Sequence, residues 1–368
     1  DLDKARKEFQ RVKVELYSYQ EVKEYFELER KIQEMIESDM NELKKSISNK
    51  FLEEVSLNQQ AKLDTRVAII GSGPAGITIA LILARKGYKV TIFESHSKIG
   101  GVLRYGIPEF RLSKGVLDRL EKELISLNVK IRPNTLIGPV LTLDKLREDG
   151  YKAIFVGTGV WNPKALGVKG ESLGHVNYAI NYLKDPSVYR LGDKVCIIGA
   201  GNVAMDAART AKRNGAKEVT VLYRKGFEDM PATRLEINEA KEDGVRFELF
   251  KAPLEILDEG VKYIETERIV TESGRVSTRN LEGTENIFEC DSVIIAVSQS
   301  PKDNIVSSTK GLNIDRYGLI VVDELGHTTK KGVFASGDVV TGAKTVVAAV
   351  AHAKVVAETM DKFCEDLI

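Results

Sequence analysis

Cysteine is scarce: Cys196, Cys290 and Cys364 are the only three in 368 residues. None forms a C-x-x-C pair, so spacing yields no redox dithiol and no zinc ribbon. Cys196 sits in an apolar run and reads as a small core residue. So little cysteine fits a reducing compartment, and a cytoplasmic location is expected. No cysteine precedes Cys196, so the N-terminal region cannot hold an iron–sulfur cluster with thiolates alone. Histidine is also rare. His96, His175, His327 and His352 form no recognisable dyad or metal set, so each reads as a surface or capping residue and no metal is expected. Neither sign of charge is in excess: Lys plus Arg and Asp plus Glu both number 54. The basic footprint of a nucleic-acid binder is therefore missing. The most apolar stretch, 67–84, contains Gly71, Gly73, Pro74 and Gly76, which suits a phosphate turn better than a membrane span, and no signal-peptide pattern is seen. The chain starts at Asp1 rather than at methionine, as a processed or trimmed chain would.

Residues 1–63 lack both glycine and proline. Within them Tyr25, Leu28, Ile32, Met35, Ile36, Met40, Leu43, Ile47, Phe51 and Val55 recur at three- and four-residue steps. That is the stripe of one amphipathic helix, or of two broken near Ser38-Asp39. The stripe either packs on this chain's own body or serves as a partner-docking or homo-oligomerising surface.

From about residue 64 the pattern becomes α/β. Val67-Ala68-Ile69-Ile70 leads into Gly71-Ser72-Gly73-Pro74-Ala75-Gly76 and then into an apolar helix. Strand, glycine turn and helix form the context in which G-x-G-x-x-G marks a dinucleotide pyrophosphate site. Gly71 allows the tight turn, Gly73 lets backbone approach the phosphates, and Gly76 lets helix and strand lie close. The next strand ends on Glu94, near the offset of the acid that holds a ribose diol. Gly100 to Leu112 mixes glycines, Pro108 and aromatics and is either a ligand-facing loop or a structured hairpin. Another buried strand ends in Gly157-Thr158-Gly159, at the carboxyl edge where parallel sheets bind ligands.

The opening motif recurs at Val195 to Ala204. Gly199, Gly201, Asn202 and Val203 form the turn and helix start, with Ala204 in the third glycine's place. The strand after it ends on Arg224-Lys225 instead of an acid. A guanidinium there suits a ribose 2′-phosphate, so this second site reads as NADP(H) in preference to NAD(H). Two such units imply two dinucleotides. The buried run Asp291 to Val297 is expected to return the chain to the first sheet. Near the end, Gly337-Asp338 is placed to accept from ligand hydroxyls. The helix start at Lys344-Thr345-Val346 would point positive dipole at a ligand.

In this order the pieces resemble the small (beta) subunit of NADPH-dependent glutamate synthase. Relatives of that family include the electron-entry part of dihydropyrimidine dehydrogenase and the large subunit of NADH-dependent ferredoxin:NADP oxidoreductase. The resemblance runs from about Thr65 to the end. Its most specific stretches are Gly100 to Leu112, Gly199 to Arg209 with Tyr223-Arg224, Glu228 to Ala232, and Gly337-Asp338 with Gly342 to Val350. It implies two Rossmann-like dinucleotide-binding domains of α/β class, an FAD domain with an inserted NADPH domain, following an N-terminal helical segment. The expected bounds are 1–63 for the segment, 64–172 and 291–368 for the FAD domain, and 173–290 for the NAD(P)H domain. By resemblance, Gly71, Gly73, Gly76 and Glu94 hold the ADP part of FAD. Gly101, Arg104, Gly106 and Ile107 lie along the flavin, Asp338 holds the ribityl or pyrophosphate end, and Thr345 and Val346 sit at the pyrimidine edge. The sequence departs from the family twice. It lacks the N-terminal cluster cysteines, and it reads Ala296-Val297-Ser298 where the family has a glycine third.

The implied activity is an FAD-dependent NAD(P)H oxidoreductase. Hydride would pass from NADPH to flavin across about 3–3.5 Å, and electrons would go on to an acceptor or a redox partner subunit. That step needs no acid or base, so no catalytic residue is named; Glu236 is a candidate contact for the nicotinamide half. The alternatives are a free-standing flavoenzyme reducing a small molecule and a non-catalytic FAD-containing subunit.

Overall fold

A computed structural model describes residues 64–270 and 276–367, all within the compact unit Gln60–Ile368. The segment 1–63 and its apolar stripe lie outside the described residues.

β1 (Arg66–Ile70) is buried from Val67 onward. α1 (Pro74–Arg85) follows, with Pro74 supplying a preset φ at its first position. β2 (Lys89–Phe93), α2 (Val102–Tyr105), α3 (Lys114–Ser126), β3 (Lys130–Arg132), α4 (Leu143–Glu148) and β4 (Tyr151–Val156) complete the first run. β5 (Asn162–Pro163) leads to β6 (Val176–Tyr178), α5 (Ala179–Lys184), β7 (Lys194–Ile198), α6 (Asn202–Arg213) and β8 (Glu218–Tyr223). α7 (Arg234–Glu242) opens on a capping box between Thr233 and Glu236. β9 (Arg246–Leu249) precedes β10 (Lys251–Leu257), β11 (Gly260–Val270), β12 (Val276–Asn280) and β13 (Asn286–Glu289). The chain ends with β14 (Ser292–Ile295), β15 (Gln299–Ser300), α8 (Asn304–Ser307), β16 (Val333–Ala335), α9 (Asp338–Thr341) and α10 (Val346–Glu365).

Two five-stranded sheets carry the fold, ordered β16-β4-β1-β2-β3 and β6-β14-β7-β8-β9. Every pairing in both is parallel, which is why the inner strands β1, β2, β4, β7, β8 and β14 are dominated by apolar residues buried on both faces. The architecture is two Rossmann-like α/β units, as the sequence implied. α10 closes one face of the first sheet, with Val356, Ala357 and Met360 packed among Ile79, Ala80 and Leu83 of α1. Strands β10 to β13 form a separate antiparallel sheet.

One expectation is overturned. The run beginning at Asp291 does not return to the first sheet. β14 pairs with β7 and β6 inside the second, and β16 completes the first. An apolar strand fits either parallel sheet equally well, so composition could not choose between them. The crossing back occurs just after β14, where β15 pairs antiparallel with β5.

Candidate functional site

The two glycine turns face one continuous cavity of about 1670 Å³, larger than a site for one drug-sized ligand. Both turns close the same way. Gly71 N donates to Phe93 O at 2.9 Å and Gly157 N to Ile70 O at 2.8 Å; Gly199 N donates to Leu222 O at 3.2 Å and Ala296 N to Ile198 O at 2.8 Å. Gly71 and Gly199 both have positive φ, +93° and +121°. A side chain on either would run into the neighbouring strand end, Gly157 in one case and Ala296 in the other. Gly73 and Gly201 differ: a Cβ on either would meet nothing within 4 Å. Each is therefore an open cradle at the N-terminus of a 12-residue helix with no acid in its first turn, the arrangement that binds phosphate.

Most of the expected residues line the cavity. In the first half these are Gly71, Gly73, Pro74, Ala75, Glu94, Gly101, Gly106, Ile107, Gly157, Thr158, Gly159, Gly337, Asp338, Lys344, Thr345 and Val346. In the second they are Gly199, Gly201, Asn202, Val203, Arg224 and Lys225. Gly76 and Ala204 stand behind the turns, and Gly76 leaves room for the Gly71 carbonyl. Arg104 does not reach the cavity. Its guanidinium donates to Ile99 O at 2.7 Å and to Asp118 Oδ1 at 2.6 Å, fastening α2 to α3. Two residues on a helix turn about 200°, so with Val102 on the cavity side Arg104 points away.

Glu94 is buried at the cavity wall with its lone pairs already engaged. Oε2 accepts from Ser72 N at 2.9 Å and Ser72 Oγ at 2.5 Å, and Oε1 accepts from His96 N at 2.8 Å. The His96 ring Nδ1 lies 2.9 Å from the same oxygen. Burial opposes its charge, but the bonds from His96 and Ser72 outweigh burial and lower its pKa to about 2. His96 stacks on Tyr105 with centroids 4.5 Å apart and lines the cavity. It is thus a site residue rather than a surface histidine; the only hint in the sequence was its position two residues after the acid. His352 is likewise engaged, with Nδ1 3.0 Å from Ser336 Oγ at the cavity wall.

The lowered Glu94 pKa has a defined consequence. A carboxyl whose folded pKa falls from about 4.5 to about 2 contributes roughly 3 kcal/mol above pH 4.5. That contribution fades as pH falls from 4.5 through 2. Glu94→Gln is therefore expected to destabilise the protein by about that amount at pH 7 and by much less near pH 2.5, as read from urea unfolding at both values.

Asp338 is half-buried, and burial raises its pKa against a backbone bond from Lys344 N at 3.2 Å. Its other acceptor positions remain available. In the second half, exposed Arg224 makes no ion pair among the described residues, and Lys225 Nζ reaches only Val276 O at 3.5 Å. The loop after α2 lines the cavity at its start, as the ligand-facing alternative expected, and its end clamps the second half, which neither alternative anticipated. Arg111 Nη1 donates to both oxygens of Asp206 on α6 at 2.8 Å, and Nη2 donates to Glu236 on α7 at 2.9 Å. Phe110 lies under Arg213 and Arg209, 4.2 and 4.8 Å from the ring centre. Glu236, expected near a nicotinamide, is thus spent on Arg111 and its own capping box. All three cysteines are buried and none lines the cavity. No His/Cys/Asp/Glu group among the described residues is arranged to hold a metal.

Comparison with known proteins agrees with this geometry. Residues 65–353 match the family described as pyridine nucleotide-disulphide oxidoreductase. The NADP(+)-dependent formate dehydrogenase subunit beta of Moorella thermoacetica is 37 % identical, over 81 % of this chain and 44 % of that one. The glutamate synthase [NADPH] small chain of Escherichia coli K12 is 34 % identical, over 82 % of this chain and 69 % of its own length. Several relatives are about twice as long as the matched region. FprA of Mycobacterium tuberculosis in complex with NADPH shares the fold, with a TM-score of 0.70 at 18 % identity over 82 % of this chain and 85 % of that one. The chain therefore belongs to the pyridine nucleotide-disulphide oxidoreductase family, in the group that contains the glutamate synthase small chains.

Proposed function

We propose that this chain is an FAD-dependent NAD(P)H oxidoreductase in which NADPH reduces FAD and the electrons pass to an acceptor or partner subunit. The observation that carries the reading is the pair of identically closed glycine turns, each with an open cradle, facing one cavity. Bound FAD supplies the redox chemistry, taking hydride from the nicotinamide and releasing electrons onward. The chain's own part is binding and orientation. The α1 N-terminus and Asp338 hold FAD, and the α6 N-terminus holds the NADPH pyrophosphate. Arg224 and Lys225 neutralise the ribose 2′-phosphate. The N-terminus of α10, capped by Thr345, turns positive dipole toward the cavity. No cysteine lines the cavity, so this chain would offer bound FAD no thiol acceptor there. Relatives named as a subunit beta or small chain favour a partner subunit. No helix among the described residues is long and apolar enough to cross a membrane, and a cytoplasmic location fits the reading.

The purified protein is expected to be yellow, with one FAD per chain, and anaerobic NADPH is expected to bleach its visible band. A folded protein that neither carries nor takes up FAD rejects the reading. Arg224→Ala is expected to raise KM for NADPH about ten- to a hundredfold, because a charge-assisted hydrogen bond is worth roughly 1.5–3 kcal/mol. KM for NADH should hardly move. Equal effects on the two nucleotides would show that Arg224 does not read the phosphate.

A further inference from the structure

Ser298 has φ +105°, outside the wells that L side chains occupy. The other non-glycine residues with positive φ among those described are Asn128, Asn134 and Phe250, at +60°, +52° and +56°. The φ values of those three fall in the left-handed range; that of Ser298 lies beyond it. Such backbone persists where the surroundings or a function demand it.

An internal repeat says what the position is. β4 lies beside β1 and β14 beside β7, both parallel. The residue after each strand, Gly157 or Ala296, donates to the last residue of its neighbour at 2.8 Å in both cases. Two residues further on come Gly159, with φ +70°, and Ser298. Ser298 is thus the second half's counterpart of Gly159, at the edge of the Gly199 turn, and it lines the cavity. Its carbonyl accepts from Lys164 N at 3.0 Å, a main-chain bond that glycine would keep without strain. Ser298 is exposed, and its hydroxyl makes no hydrogen bond among the described residues. The side chain therefore does nothing for the fold and strains the backbone that carries it.

We propose that Ser298 is a nucleotide-contacting residue: its hydroxyl hydrogen-bonds an oxygen of the pyridine dinucleotide held on the Gly199 turn. This rests on the functional reading above, which makes the second ligand a pyridine dinucleotide. Ser298 follows Ala296, whose N–H bonds the last residue of β7 immediately before the Gly199 turn, so the contact is assigned to the nucleotide on that turn and not to FAD.

The test uses the FAD-loaded full chain with Ser298→Ala and Ser298→Gly. It measures the Kd for NADP+ by titration calorimetry, FAD content by absorbance, and Tm without nucleotide. Both variants are expected to weaken NADP+ binding about three- to tenfold, the range of a neutral hydrogen bond, with FAD content unchanged. Ser298→Gly alone is expected to raise Tm, by about 2–4 °C, because it relieves the backbone. A Ser298→Ala protein that binds NADP+ as tightly as the wild type overturns the proposal, and so does a loss that falls on FAD instead. Wild-type protein without measurable affinity for NADP+ overturns the functional reading of the second site and this proposal with it.

Discussion

Arg111→Leu is expected to lower stability by about 3–5 kcal/mol, the usual result of removing one partner from a buried ionic group. Two carboxylates, Asp206 and Glu236, are each about 5 % exposed and share this one guanidinium. Burial works against the charge on Arg111, and Asp206 and Glu236 more than offset it. Burial lifts Asp206 above the usual carboxylate range even with Arg111 holding it down. Without Arg111, Asp206 would favour its neutral form still more. A carboxyl with a raised folded pKa favours folding at low pH and loses that advantage as pH rises through the folded value. The deficit of the variant should therefore shrink as pH is lowered from 7 toward 5. Asp206→Asn in the same background should recover part of the loss at pH 7. Urea unfolding of the single and double variants at both pH values checks this, and a deficit independent of pH would show that the acids are not the cause. Arg111 belongs to the loop whose start lines the first half of the cavity, the proposed flavin site. The same variant should therefore slow anaerobic flavin reduction by NADPH more than it weakens NADP+ binding, since hydride transfer depends steeply on placement.

Gly201→Val is expected to remove NADP(H) binding while leaving a folded, FAD-containing protein. Gly201 has φ −87° and ψ 178°, which a β-branched residue adopts freely, and a Cβ there meets no protein atom within 4 Å. The added methyl groups would fill the space in which backbone N–H groups meet the pyrophosphate. Losing two charge-assisted hydrogen bonds at roughly 1.5–3 kcal/mol each weakens binding by about a hundredfold or more. Gly199→Val would be a poor substitute test, because its side chain would collide with the Ala296 carbonyl and damage the fold itself. The matching change at Gly73 should abolish FAD binding and leave NADP+ binding intact. Calorimetric titration of both variants reads this out, and a Gly201→Val protein that still binds NADP+ with unchanged affinity would rule out the α6 N-terminus as the pyrophosphate site.

The two glycine turns were legible in the sequence because they are local. Each requirement spans a few residues: a positive φ at Gly71 or Gly199, an open cradle at Gly73 or Gly201, a small residue at Gly76 or Ala204. Parallel strands buried on both faces announced themselves as apolar runs for the same reason. Partner choice was not local, and there the tertiary structure decided. β14 was apolar enough for either sheet, and only its pairing with β7 fixed which one it joined. Arg104, on α2, and Arg111, in the loop after it, are seven residues apart; the turn of α2 sends the first into the interior of its own half, while the second crosses to Asp206, 95 residues away in sequence. Glu94 was found as the acid after β2, but its saturation by Ser72 and His96 depended on two loops meeting. The strain at Ser298 is likewise invisible in its letter. It arises because β14 must end beside Gly199 and turn at once into β15, a geometry set by both sheets together.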